Sequence, residues 1–352
     1  MESVSNSSDG ELSMEIIESA IASNQLLAWT VLAVSFAVLA KCADLFVDSA
    51  VALADRFHLP HLIIGIVMVS LATTAPEVSV SLLAAFRGSP EMALGNAIGS
   101  IICDDGIALG LCGLFAAAPI IILPQVLNTS TVFLLIVEIL TFLFIVFDHT
   151  LGRIEGGILV IIMIYYFFVL FKQHKSGRYQ ESPELEEEKE VAEKTRNKSI
   201  TALTVLFIAG LGGIIATSHL IVTSATSIAY AIGIPEAVIA LTLVALGTSI
   251  PEIATCIIAA RKGEGALAVG NILGADIMNI CWVAGLSAVA NPLSLSVKQI
   301  AFMFPSMFII VGAMLLMLRS GYRLDRKKGA VLLLLYVIYL VSFIFVFPPS
   351  GH

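Results

Sequence analysis

Two carboxylates, Asp104 and Asp105, stand side by side inside the apolar run GNAIGSIICDDGIALG (Gly95–Gly110), which contains no lysine or arginine. Other acids interrupt apolar stretches in the same way: Glu77 after Pro76, Glu252 after Pro251, Asp276, and further off Asp44, Asp48 and Glu138. A carboxylate inside a membrane span costs on the order of 2.5–3.5 kcal/mol on insertion scales. Several that converge can be offset by a bound cation. Helical spacing sorts them. Thr73, Glu77 and Ser81 follow at i, i+4 and i+8 and share one face, with Thr74 adjacent. Thr248, Glu252 and Cys256 repeat that face, and Ser100 and Asp104 are again four apart. Glu77, Glu252, Asp104, Asn279 and these hydroxyls form a set of hard oxygen donors without histidine or cysteine. Calcium takes about six to eight oxygens, carboxylates mixed with carbonyls, whereas zinc and copper favour imidazole and thiolate. Asp105, about 100° around the helix from Asp104, and Asp276 are placed at the margin of the set, whether as direct cation ligands, pairing elsewhere or lining an ion path. Lys41 with Asp44 reads as a local ion pair, and Glu138 and His219 as structural residues.

The elements that must position these groups are membrane helices. The chain has 352 residues, 58% of them hydrophobic and 13% charged. Soluble domains run at about 45–50% apolar and about 25% charged. Ten apolar stretches are each long enough to cross a bilayer as a helix: 28–54, 61–86, 92–118, 122–147, 153–172, 199–227, 235–260, 266–290, 297–318 and 326–347. Such runs exclude a β-barrel, whose strands are about ten residues of alternating polarity. The expected fold is therefore all-α and polytopic. The five cysteines lie in apolar spans without a CxxC pair and read as small buried hydrophobes.

Lysine and arginine set the expected topology. With the N-terminus outside, fifteen fall in inside loops, from Arg56 to the cluster Arg326, Lys327 and Lys328, and three (Arg87, Arg153, Lys298) fall outside. Both termini should face out. The acidic tail 1–25 lacks lysine and arginine, unlike a signal peptide. Residues 173–198 mix both signs and read as a solvated cytoplasmic linker.

Shifted by 175 residues, the sequence matches itself. PHLIIGIVMVSLATTAPEVSVSLLAAFRG lies on PEAVIALTLVALGTSIPEIATCIIAARKG, and the match runs ungapped from Pro60–Gly110 onto Pro235–Gly285 with 16 of 51 positions identical. These include Pro76/Pro251, Glu77/Glu252, Gly95/Gly270, Asn96/Asn271 and Gly99/Gly274. The glycines also suit close helix packing. Five spans per copy (26–172 and 199–352) make the second copy enter the membrane from the opposite side, the inverted repeat of many secondary transporters, whose site lies where broken helices meet. Pro76 and Pro251 are expected to break their spans and free carbonyls one turn earlier, at Ala72 and Gly247.

The pairs ATTAPE with GNAIGSIICDD, and GTSIPE with GNILGADIMN, resemble the two α-repeats of the cation/calcium exchanger superfamily, nearest to its prokaryotic sodium/calcium exchanger-like membrane proteins. The resemblance implies ten helices in two inverted five-helix repeats. Long, tilted first and sixth helices would slide to alternate access. Glu77 and Glu252 would be the central carboxylates for calcium and sodium. Thr73, Thr74, Thr248, Ser249 and Ser100 would add hydroxyl or carbonyl oxygens, and Ser70 and Ala245 backbone carbonyls. Two departures stand out: Ala275 replaces an expected serine, and the Asp/Asn pair has its acid in the first copy, at Asp104 rather than Asn279.

The expected function is a secondary antiporter, not an enzyme, exporting calcium against sodium, with a proton- or potassium-coupled cation antiporter as the alternative and a channel or an intramembrane aspartyl protease as remoter ones. Its partners would be inorganic cations and membrane lipid, with no nucleic acid. No cofactor and no ATP are implied, since no GxxxxGK[ST] loop occurs. The expected location is a prokaryotic plasma membrane.

Overall fold

The computed structural model describes residues 19–21, 23–57, 59, 61–175, 199–231 and 246–347. Most of the acidic tail, most of the linker, the start of the seventh expected span and Ala245 lie outside these residues. The helices are α1 (Gln25–Phe57), α2 (His61–Thr73), α3 (Ala75–Phe86), α4 (Pro90–Phe115), α5 (Pro124–Asp148) and α6 (Arg153–Lys175) in the first half. The second half has α7 (Ile200–Ala231), α8 (Ile250–Arg261), α9 (Gly265–Ala290), α10 (Val297–Arg319) and α11 (Arg326–Val346). Eight of the described helices are long and apolar enough to span a bilayer, and the pair α2–α3, bent by 43°, makes a ninth. The expected span 235–260 is described only from residue 246.

The apolar surface faces outward, as lipid requires. Phe147 of α5 is 83% exposed and Phe345 of α11 81%. Polar residues lie inside instead: the stretches Asn96–Asp105 of α4 and Gly270–Cys281 of α9 are buried throughout. With about 1.5 Å rise per residue, the 33 residues of α1 reach about 50 Å, well beyond a hydrocarbon core of about 30 Å. Such a helix is long enough to span the bilayer with some tilt. It packs along α7, where a side chain on Gly210 would come within 2.9 Å of the Phe46 backbone nitrogen.

Four short strands tie the halves together. β1 (Ile120–Ile121), after α4, pairs antiparallel with β4 (Arg323–Leu324), before α11. β2 (Thr150–Leu151), before α6, pairs with β3 (Leu293–Ser294), after α9. Each half therefore supplies one strand to each ribbon.

The turns obey the 175-residue offset as well. Gly88 ends the α3 hairpin at φ +75° and Gly263 the α8 hairpin at φ +83°, left-handed values that glycine adopts without a steric penalty. In each, the next residue donates back across the turn: Ser89 N–H to Ala84 O, and Glu264 N–H to Ala259 O, both 2.9 Å.

Candidate cation-binding site

The break between α2 and α3 falls at Thr74, and the corresponding break falls at Ser249. Pro76 and Pro251 are thus the second residues of new helices. The reason is that a proline in a helix's first turn lacks only an N–H that has no intrahelical partner there. The new helices close on the break residues, Val78 N–H donating to Thr74 O (3.2 Å) and Ile253 N–H to Ser249 O (3.0 Å). Glu77 and Glu252 sit in the first turns of α3 and α8, and both are buried. The positive end of each helix dipole favours an anion at that position.

α4 and α9 complete the site. Each widens into a π-helical turn at matching positions, Asp104–Ala108 and Asn279–Ala284. Such turns are frequent at functional sites. Asn279 donates from Nδ2 to Asp104 Oδ2 at 3.4 Å, so the pair related by the repeat meets across the molecule. α9 reaches α2 closely: a Cβ on Gly270 would strike Leu62 O, and one on Gly274 would strike Ile66 O and Ser70 Oγ.

Two hydrogen bonds cross between the copies in matching fashion. Thr73 Oγ1 donates to Asn271 Oδ1 and Thr248 Oγ1 to Asn96 Oδ1, both at 3.2 Å. Asn96 and Asn271 did not enter the expected ligand set. The available signal was their identity in both copies, polar and mid-span. A further pair also matches, with Ser81 Oγ donating to Ala93 O (3.2 Å) and Cys256 Sγ to Ala268 O (3.5 Å). Here the copies diverge chemically. Asn96 Nδ2 donates to Ser81 Oγ at 3.1 Å, whereas Asn271 lies against the Cys256 sulfur, a weaker acceptor.

The expected ligands take up the following positions. Thr74 Oγ1 donates to Glu252 Oε1 at 3.3 Å. Glu77 lies within electrostatic reach of Glu252 and Asp104 and beside Thr248. Both Glu77 oxygens, Glu252 Oε2, Asp104 Oδ1, Ser100 Oγ, Ser249 Oγ and Asn279 Oδ1 are buried without a hydrogen-bond partner. The Ser70 hydroxyl donates to Ile66 O, and its carbonyl, the expected oxygen donor, accepts one bond from Thr74 N–H at 2.9 Å. Asp105 and Asp276 face each other instead of joining the crossed pairs. Glu138, read from the sequence as structural, is buried with neither oxygen partnered. Lys41 reaches Asp44 only at 3.9 Å, and the closer cation is Lys262, at 3.3 Å from Asp44 and 2.6 Å from Asp48.

Among the described residues, no three Asp, Glu, His or Cys side chains come close enough to hold a metal by themselves. The orphaned oxygens are instead a mixture of carboxylate, hydroxyl and amide. Such a set suits a hard cation that several helices share. A cleft of about 620 Å³ lined by Glu91, Asn96, Gly99 and Gln299 reaches Asn96 from the α3–α4 turn.

The family described as sodium/calcium exchanger protein matches residues 27–172 and 202–345. The inner membrane protein YrbG of Escherichia coli is 35% identical over 268 residues, covering 76% of this chain and 81% of its own. The sodium/calcium exchanger MaX1 of Methanosarcina acetivorans is 28% identical, covering 90% of this chain and 98% of its own. Among solved structures, the sodium-calcium exchanger NCX_Mj soaked with 100 mM Na+ and 10 mM Sr2+ superposes with a TM-score of 0.75 at 28% identity, covering 91% of this chain and 99% of that one. The fold, the inverted repeat and these similarities agree: the chain is a multi-pass membrane transporter that belongs to the sodium/calcium exchanger family.

Proposed function

We propose that the protein exports calcium in exchange for sodium by alternating access to a midplane site. The observation that carries this reading is a ring of buried oxygens at paired helix breaks: Glu77 and Glu252 follow the breaks, crossed Thr–Asn bonds join the two copies, Asp104 meets Asn279, and Glu77 lies within electrostatic reach of Glu252 and Asp104. Thr73, Thr74, Thr248, Ser249 and Ser100 supply further oxygens, with backbone carbonyls from Ser70 and Ala245.

With Glu77, Glu252 and Asp104 ionised the ring carries three negative charges. Calcium leaves one uncompensated, and three sodium ions leave none. A cycle that moves one net charge would feel about 2.3 kcal/mol per 100 mV of membrane potential. The tilted pair α1 and α7 slides against the core to expose the ring to one side and then the other. The cleft ending at Asn96 supports access from the face of the α3–α4 turn, which the distribution of lysine and arginine assigns to the outside of a prokaryotic plasma membrane, along with both termini. The named exchangers among its relatives support the choice of ions.

The test is calcium-45 flux in proteoliposomes under sodium, potassium or pH gradients imposed one at a time. Flux should follow the sodium gradient. Flux that ignores sodium and follows pH overturns the reading in favour of a proton-coupled antiporter.

A further inference from the structure

Asp105 on α4 and Asp276 on α9 are fully buried, and their carboxyl groups lie within hydrogen-bonding reach of one another. None of their four oxygens has a hydrogen-bond donor. Glu138, on α5, is also fully buried with both oxygens unpartnered, and it lies within electrostatic reach of Asp105 and Asp276. Among the described residues, no lysine or arginine pairs with any of the three.

The repeat shows what this packing position holds when no charge is present. The mates of Asp105 and Asp276 at the 175-residue offset are Ile280 and Ile101, both fully buried. The other half thus buries isoleucines at the matching positions, so burial between helices there does not by itself call for acids. Nor does α10, the counterpart of α5, carry a single Asp or Glu. Three unpartnered acids from three helices have been placed on one side only.

We infer that Asp105 and Asp276 form a second cation seat, off the pseudo-twofold axis, for one monovalent metal ion of sodium's class. Their four orphaned oxygens would ligate it, and Glu138 would add negative potential. A shared proton would satisfy one donor–acceptor pair and leave two dyad oxygens and both Glu138 oxygens unmet. A divalent ion such as calcium takes about six to eight oxygens, and the dyad's two carboxylates offer four. The choice of sodium rests on the exchange proposed above; the existence of the seat does not.

The first test needs no mutation. Crystals of the full-length protein soaked in thallium(I), a monovalent ion with strong anomalous scattering, should show a peak between Asp105 and Asp276. No peak there, or a peak from manganese(II) in place of thallium, overturns the inference. The second test counts bound sodium-22 and calcium-45 on purified protein at fixed pH, in wild type, Asp105→Asn/Asp276→Asn and Glu77→Gln. The double variant keeps the side-chain volumes, and Asn can pair with Asn. It should bind one sodium ion fewer and the same number of calcium ions. An unchanged sodium count means the dyad holds a proton, and a lost calcium means it belongs to the main ring; either result refutes a separate monovalent seat. Glu138→Gln should weaken sodium binding at the seat severalfold without changing the count, and it offers a milder variant should the double one misfold. The Glu77→Gln arm judges the main ring alone: intact calcium binding there would sink the exchange reading while leaving the seat in place.

Discussion

The two copies of the repeat agree in some positions and differ in others, and the division is informative. They agree at the helix breaks, the glutamates after them, the crossed Thr–Asn bonds and the glycine turns. They differ in charge: Asp104 against Asn279, Ser100 against Ala275, and the Asp105–Asp276 dyad against Ile280 and Ile101. They differ too at the rim, where Lys262 bridges from the α8–α9 turn to Asp44 and Asp48 on α1, while its mate Arg87 makes no ion pair among the described residues. Positions that shape the scaffold are thus duplicated. The two central glutamates are duplicated with them, and the buried acids Asp104, Asp105 and Asp276 are not. An inverted pair of identical halves could treat both membrane faces alike, and the unequal charges are where ion preference and energetics can be tuned.

The sharpest way to break this comparison is at the shared glutamates. Glu77→Gln and Glu252→Gln should each reduce calcium transport by roughly 100-fold or more, equivalent to about 2.8 kcal/mol, without unfolding the protein. Near wild-type flux in either purified, monodisperse variant would remove that residue from the site.

The next largest effect tests the unequal pair. Asp104→Asn should cost roughly 10-fold or more in flux, about 1.4 kcal/mol. Adding Asn279→Asp returns the charge at the mirror position and should recover part of the flux, with altered cation preference because Ala275 lacks the Ser100 hydroxyl. A double variant no better than the single would show that the copies do not share one ring. Flux in wild type, both singles and the double, analysed as a cycle, supplies the answer.

The crossed bonds offer a stability test of the symmetry itself. Thr73→Val and Thr248→Val each leave a buried Asn oxygen without its donor, at a cost of about 1–3 kcal/mol. The two should lower the melting temperature of the detergent-solubilised protein to a similar extent. A severe loss from one and none from the other would mean that the crossed bonds do not bear equally on the fold.

The smallest effect belongs to the rim. Lys262→Gln removes an ion pair between partly exposed side chains, whose contribution to stability is about 0–1 kcal/mol. It should change melting slightly more than Arg87→Gln. Equal melting curves for the two would erase the rim difference as an energetic one.

Much of this was legible in the sequence for a simple reason. Apolar length announces spans, and an ungapped 175-residue offset announces duplication, so the paired prolines and glutamates identified one another. Asn96 and Asn271 were visible as shared polar residues, but their partners were not, because Thr73 meets Asn271 some 198 positions away. Pro76 shows a related limit: a proline marks a break, but only the backbone fixes whether it ends one helix or, as here, begins the next.

The sequence by itself determined that this is a helical membrane protein, that it is two inverted copies of one unit, and which carboxylates had to be explained, because burial in lipid makes every charge conspicuous. Only the tertiary structure decided which acids share a space. Asp104 and Asp105 are neighbours in the chain, yet one meets Asn279 and the other Asp276. The cause is rotation: consecutive residues on a helix point about 100° apart, and the widened turn at Asp104–Ala108 shifts that phase further. Which helix stands opposite each direction is set by the packing of α4 against α9, and no local pattern in the sequence encodes that.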